Sequence, residues 1–197
     1  MSVTIKTARE IELMREAGRL LEKVHDELGA FIKPGISTLD IDRLGEKLIR
    51  SLGCTPNFLN YNGYPASICV SVNDEVVHGI PHKEHFLDEG DIVSLDAGVI
   101  YKGYHSDAAR TYGIGEIDDD AKKLIEVTRQ SFFEGIKFAK AGNHLNDISA
   151  AIQKYAEVSV LVLSGIWLVM ESVPICMRIR RFRILQEKEK EFSYSPA

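Results

Sequence analysis

A repeat inside the chain limits its fold more than any other feature. "FIKPGISTLDI" (31–41) and "FAKAGNHLNDI" (138–148) share Phe-x-Lys-x-Gly, followed five residues after the glycine by Asp-Ile, at an offset of 107 residues. A helical pattern precedes each copy and another follows it. A helix–turn–helix unit placed equivalently around a central strand pair predicts two related halves. With 197 residues, 45% of them apolar, the chain has enough material for one domain or two small halves around a shared core.

The local signals fill in this outline. Thr7 is placed to cap a first helix, and Glu10 completes a capping box. Ile11, Met14, Leu20, Leu21, Val24 and Leu28 follow at helical spacing, with Gly29 as the expected stop. "KPGIS" is a turn, and Thr38 is the expected cap of a second helix with Leu39, Ile41, Leu44, Leu48 and Ile49 on its apolar face. From Cys54 to Ile80, Gly, Pro, Asn, Tyr and Ser dominate, which predicts loops and short strands. "DIVSLDAGVI" and "YHSDAARTYGIG" alternate as strands do, and the "YKG" between them predicts a tight antiparallel hairpin. "DDDAKKLIEVTRQSFFEGIKFA" returns to helical spacing, with acids at the start where the helix dipole favours them.

Several function classes are disfavoured by composition. A net charge of −5 argues against nucleic acid as a specific partner. Cys54, Cys69 and Cys176 are odd in number and lack paired spacing, which argues against a disulfide framework or structural zinc and for a reducing compartment. The N-terminus turns charged within ten residues, unlike a signal peptide. The longest apolar run, Val158 to Met170, has 13 residues, short of the roughly 20 a membrane span needs. A soluble, cytoplasmic, monomeric protein with no membrane contact is expected.

The chemistry centres on Asp96 and Asp107, eleven residues apart on opposite arms of the expected hairpin. Strand parity does not decide whether they meet, because pairing register does. Two close, buried carboxylates repel, so one keeps a proton unless a cation lies between them. A divalent cation removes the conflict, and carboxylates can bridge two such ions around an acidified water. Spacing alone is met as simply by one solvent-facing and one turn-capping aspartate. His78, before a Gly-x-Pro turn, reads alone as structural, and the aromatics of "FLNYNGYPASIC" read as ordinary loop packing or as a pocket lining.

Taken together, "YNGYPASICVSVNDEVVHGIP" and "GDIVSLDAGVIYKGYHSDAARTY" resemble the bacterial type-I methionine aminopeptidase family, over about Thr7 to Glu157. The resemblance implies an α+β pita-bread fold of two pseudo-symmetric halves. It implies two divalent metal ions (Co, Mn, Fe, Zn or Ni), with Asp96 a ligand to one and Asp107 bridging both. It assigns His78 to the scissile amide and the tetrahedral intermediate, as catalytic and substrate-binding residue. Phe58, Tyr61, Tyr64 and Cys69 fall where that family lodges the methionine side chain, and aromatic and sulfur surfaces suit a thioether. The implied reaction removes the initiator methionine from nascent polypeptides, with the ribosome as a possible site of action. A non-catalytic relative of the same fold, binding nascent chains or ribosomes, is the alternative; against it, Asp96, Asp107 and His78 are all present. Proline-specific and creatine-type hydrolases of this fold fit less well, since they carry a large extra N-terminal domain.

The chain departs from that family after Glu157. The expected Gly-His-Gly-Ile-Gly histidine, the Ile-Glu-Pro glutamate and a final glutamate ligand have no counterpart, and no histidine follows His144. A frame slip near Glu157–Val158 is the expected explanation, with a divergent C-terminus as the alternative. The family segment Val-Gly-His-Gly-Ile-Gly-Thr-Asn-Met-His-Glu-Asp-Pro-Gln-Ile-Pro-Asn, given suitable synonymous codons and read one base later, translates as "LVMESVPICMRIRRFR". That is this chain from Leu168 to Arg183. The division expected is therefore 1–157, peptidase domain with an incomplete second half, and 158–197, an out-of-frame tail. Such a chain is expected to lack activity and to bind its metals poorly.

Overall fold

The computed structural model describes residues 5–159, together with the backbone of 166–171 and 178–183. Cys176 and most of the expected out-of-frame tail lie outside these residues. Contacts divide the chain into two compact units, the first running to Asp118 and the second, from Asp119, carrying the later helices.

The first unit begins with two helices, α1 (Ala8–Phe31) and α2 (Thr38–Ser51). Thr7 caps α1 in the expected box: Thr7 Oγ1 accepts from Glu10 N, while Glu10 Oε2 accepts from Thr7 N. Gly29 does not end α1. It lies under Tyr112, whose Cε1 would be 2.8 Å from a Cβ at that position, so the glycine serves a close approach instead of a stop. The cap of α2 also differs from expectation. Ser37 is the N-cap, its Oγ accepting from Asp40 N, and Thr38 instead joins the chain to His82 by hydrogen bonds in both directions.

Four antiparallel strands follow: β1 (Thr55–Pro56), β2 (Ile68–Val72), β3 (Ile92–Tyr101) and β4 (Tyr104–Gly113). β3 is central. β4 pairs along one edge for its full length, while β1 and β2 share the other edge end to end. The hairpin closes on Lys102 and Gly103, both at positive φ (49° and 84°), as a two-residue turn matching strand twist requires. Alternation along β3 sorts its residues by face. Val93, Leu95, Ala97 and Val99 are fully buried in the core with Leu21, Val24 and Leu28 of α1 and Ile41 and Ile49 of α2. Ser94, Asp96, Gly98 and Ile100 take the opposite face.

The second unit contains α3 (Asp119–Ile136) and α4 (Leu145–Val158), with β5 (Ile166–Glu171) paired to β6 (Arg178–Arg183). The repeated motif recurs here as structure. Gly35 and Gly142 both take positive φ (84° and 91°) in the turn before a 14-residue helix. The repeated aspartate occupies the third helical position each time: Asp40 Oδ2 accepts from Ser37 Oγ, and Asp147 Oδ2 from the backbone N–H of His144. Among the described residues, no helix is long and apolar enough to cross a membrane.

Candidate metal centre

Register answers the question that spacing left open. Asp96 pairs with Ala109, and Asp107 with Gly98, so the two aspartates are diagonal neighbours on one face of the hairpin. Gly98 carries no side chain opposite Asp107. A Cβ there would lie 2.6 Å from Asn57 Cβ and 3.1 Å from Phe58 Cε1, so the strand, the 57–58 loop and the acid pair close on one another.

Each carboxylate is perturbed by burial and by its neighbour. Burial, reinforced by the charge of Asp96, pushes Asp107 up to about 8. Burial also raises Asp96. Without a cation the pair therefore holds a proton near neutral pH. Asp96 Oδ1 is buried with no hydrogen-bond partner. A buried acceptor left unpaired costs about 1–3 kcal/mol, and a hard cation is what such an oxygen would satisfy.

Cys69 and His78 lie on the Asp96 side, and Phe58 lies against Gly98, opposite Asp107. Cys69 on β2 is the register partner of Asp96, and burial pushes its thiol up to about 11. His78 is exposed, at φ 58°, with Nδ1 3.9 Å from Cys69 Sγ. Its loop is clamped to β2 through Gly79, whose O accepts from Val70 N (3.0 Å) and whose N donates to Ser71 Oγ (3.1 Å). Tyr64 OH donates to Gly79 O (2.9 Å) and Ile68 O (3.2 Å), and burial raises its hydroxyl well above the ordinary range. Phe58 is buried, and Tyr61 is half-buried in the turn below it, its N–H bonded to Phe58 O.

Sequence reasoning missed three contacts. His105 and Asn57 share a buried 2.6 Å bond, and Ser94 and Thr111 pair their hydroxyls at 2.8 Å on the acid face. His105 lies two residues from Asp107 on the same strand, so period two carried the signal. His25 of α1, 1% exposed, meets Ala108 O at 2.9 Å, and nothing in the sequence marks that contact.

As donors, Asp96 and Asp107 fit one edge of a divalent-cation site. Among the described residues, no group of three or more His, Cys, Asp or Glu side chains could hold a metal ion. The set thus fits a cation in chemistry and falls short of a complete dinuclear centre in number.

Known proteins agree with this architecture. The profile of metallopeptidase family M24 matches residues 12–174. Methionine aminopeptidase of Clostridium acetobutylicum is 51% identical over 155 residues, 79% of this chain and 62% of that protein. Methionine aminopeptidase 1 of Bacillus subtilis is 51% identical over the same shares of each chain. The chain therefore spans about three fifths of the length of these curated relatives. The crystal structure of methionine aminopeptidase from Thermotoga maritima superposes with a TM-score of 0.87 at 34% identity, covering 98% of this chain and 78% of that one. The pita-bread fold that the resemblance implied is present, with its second half incomplete. The chain belongs to metallopeptidase family M24, and the relatives it matches there are methionine aminopeptidases.

Proposed function

We propose that this chain carries half of the site by which methionine aminopeptidases hydrolyse the bond after an N-terminal methionine. The meeting of Asp96 and Asp107 on one hairpin face, with Asp96 Oδ1 left unpartnered, carries this proposal. Asp96 would hold one divalent cation and Asp107 would bridge two, their identity among Co, Mn, Fe, Zn and Ni being open. Such ions, when bound, supply Lewis acidity and an acidified water.

The chain's own residues have distinct tasks. His78, held by the Gly79 clamp, would contact the scissile amide and favour negative charge developing there. Phe58, Tyr61, Tyr64 and Cys69 would line an aromatic and sulfur-rich recess for the methionine thioether. Cys69, its thiol pushed up to about 11, is neutral at physiological pH and suits an apolar side chain. Nascent chains in the cytoplasm are the proposed substrates.

The proposal includes inactivity of the chain as it stands. Two carboxylates bind hard cations weakly, and the tail after Glu157 supplies no histidine. Two measurements separate the parts. Mn(II) binding that Asp96→Asn abolishes supports the half-site, and binding indifferent to that change removes it. Methionine release from Met-Ala-Ser with added Co(II) or Mn(II) is expected to match a metal-only control, and clear turnover refutes the inactivity. The nucleotide sequence across codons 155 to 185 tests the frame slip: a restored frame without Gly-His-Gly-Ile-Gly sinks it.

A further inference from the structure

The bond between Asn57 and His105 crosses a strand. Thr55 and Pro56 of β1 pair with Ile100 and Val99 of β3, and Asn57 N donates to Gly98 O at 3.0 Å, so Asn57 continues β1 beside Gly98. His105 lies on β4, the other neighbour of β3, where Asp107 is the register partner of Gly98. To reach His105, the Asn57 side chain has to pass over β3. It passes where β3 carries no side chain: a Cβ on Gly98 would stand 2.6 Å from Asn57 Cβ and 2.9 Å from Asn57 Nδ2. Gly98 is thus the gap through which β1 is tied to β4.

The tie is buried and directional. His105 and Asn57 are 9% and 7% exposed, and Nδ1 meets Oδ1 at 2.6 Å. An amide oxygen only accepts, so His105 Nδ1 donates. By parity His105 shares the face of Asp107, two residues further along β4. That spacing alone would suit a cation ligand, in a chain where no histidine follows His144. The bond points to a different task. His105 Nδ1 is engaged by Asn57, and among the described residues no group of three His, Cys, Asp or Glu side chains could hold a metal ion.

We infer that Asn57 and His105 are positioning residues for Asp107. Their bond lies beside Gly98, opposite Asp107, and Phe58 follows Asn57 directly, with Cε1 3.1 Å from the Gly98 Cβ position. The pair fills the Gly98 gap with protein atoms where water would otherwise stand, and it holds the 57–58 loop against the acid pair. His105 acts through Asn57 and touches no cation. Groups that support a ligand in this way set cation affinity by about 10–100-fold. The inference rests on the half-site reading for its cation, while the tie itself can be read without metal.

The test uses the whole 197-residue chain with carbon-13 in its aspartate carboxyls. NMR reads the metal-free chain, and electron paramagnetic resonance then reads binding of Mn(II) alone. His105→Phe removes the donor, Asn57→Ala removes the acceptor, and Gly98→Ala displaces Asn57. Each is expected to move the Asp107 carboxyl resonance, identified with Asp107→Asn, and to weaken Mn(II) binding about tenfold. His105→Asn, whose amide N–H takes the place of Nδ1–H, is expected to keep both readouts near wild type. Tyr112→Phe removes a different bond of β4, from Tyr112 OH to His25 O (3.1 Å), and is expected to lower the urea midpoint with both readouts unchanged. Circular dichroism checks each fold, and the three disrupting variants are independent, so any that folds carries the test. The inference is overturned by an Asp107 resonance indifferent to the disrupting variants, or by wild-type Mn(II) affinity in them. It is overturned too if His105→Asn fails as His105→Phe does, or if bound Mn(II) shows imidazole nitrogen coupling that His105→Phe removes, which would make His105 a ligand. A wild-type chain that binds no Mn(II) counts against the half-site, and the metal-free carboxyl resonance then decides the tie by itself.

Discussion

Gly79→Ala should uncouple His78 from the acid pair. An alanine Cβ would stand 2.2 Å from Val70 O, 2.8 Å from Val70 C and 2.9 Å from Ser71 Cα. All three are backbone atoms of β2, so no side-chain rotation relieves the clash, and the 76–80 loop must lift. Lifting it breaks the bonds from Val70 N to Gly79 O, from Gly79 N to Ser71 Oγ and from Tyr64 OH to Gly79 O. At about 0.5–1.5 kcal/mol net for each bond, the loss comes to about 1.5–4.5 kcal/mol. That is a large share of the roughly 5–15 kcal/mol that holds a domain of this size together. Urea denaturation followed by far-UV circular dichroism measures it, and limited proteolysis reports whether the 76–80 loop has opened. A stability within about 0.5 kcal/mol of wild type, the ordinary scatter of surface changes, would refute the clamp.

Two other groups give independent checks. Burial lowers the pKa of His25, so the unfolded chain binds the proton more readily; its stabilising contribution is complete above the unfolded value near 6.5 and is lost as pH falls through the lower folded value. The urea midpoint should therefore drop between pH 7.5 and pH 5, and His25→Leu should flatten that slope while lowering stability at pH 7.5 through the unpaired Ala108 carbonyl. Asp42 accepts from Ser67 N (2.7 Å) and Ile68 N (2.9 Å) at the start of β2. Asp42→Ala leaves two buried N–H groups unpaired, for about 2–6 kcal/mol, whereas Asp42→Asn keeps an acceptor and should cost clearly less; equal losses in urea titrations would show that the carbonyl oxygen is not what matters. Burial raises the pKa of Asp42, so its contribution is greatest below the unfolded value of 3.8 and weakens as pH rises through the folded value.

Much of the fold was legible because the signals were local. The Thr7–Glu10 box, the Lys102–Gly103 turn and the period-two alternation of β3 and β4 are each decided within a few residues. The misreadings have one cause: a glycine or a hydroxyl was assigned a local task when a distant neighbour had claimed it. Gly29 makes room for Tyr112, and Thr38 is bound to His82. In the site, the residue types of Asp96, Asp107 and His78 were visible, but His25 and the His105–Asn57 pair act across 83 and 48 residues of chain.

The sequence by itself determined the duplicated helix–turn–helix unit, the hairpin and the identity of the two acids, since propensity, turn chemistry and repetition need no tertiary context. It also showed that no histidine follows His144. Only the tertiary structure decided that Asp96 and Asp107 share a face, because a one-residue slip would have sent one of them into the core. Only the structure, too, decided that Ala17 and Leu21 of α1 are buried while Leu124 and Phe132 of α3 are exposed. Burial belongs to whatever packs against a residue, and a repeat in sequence does not guarantee a repeat in partners.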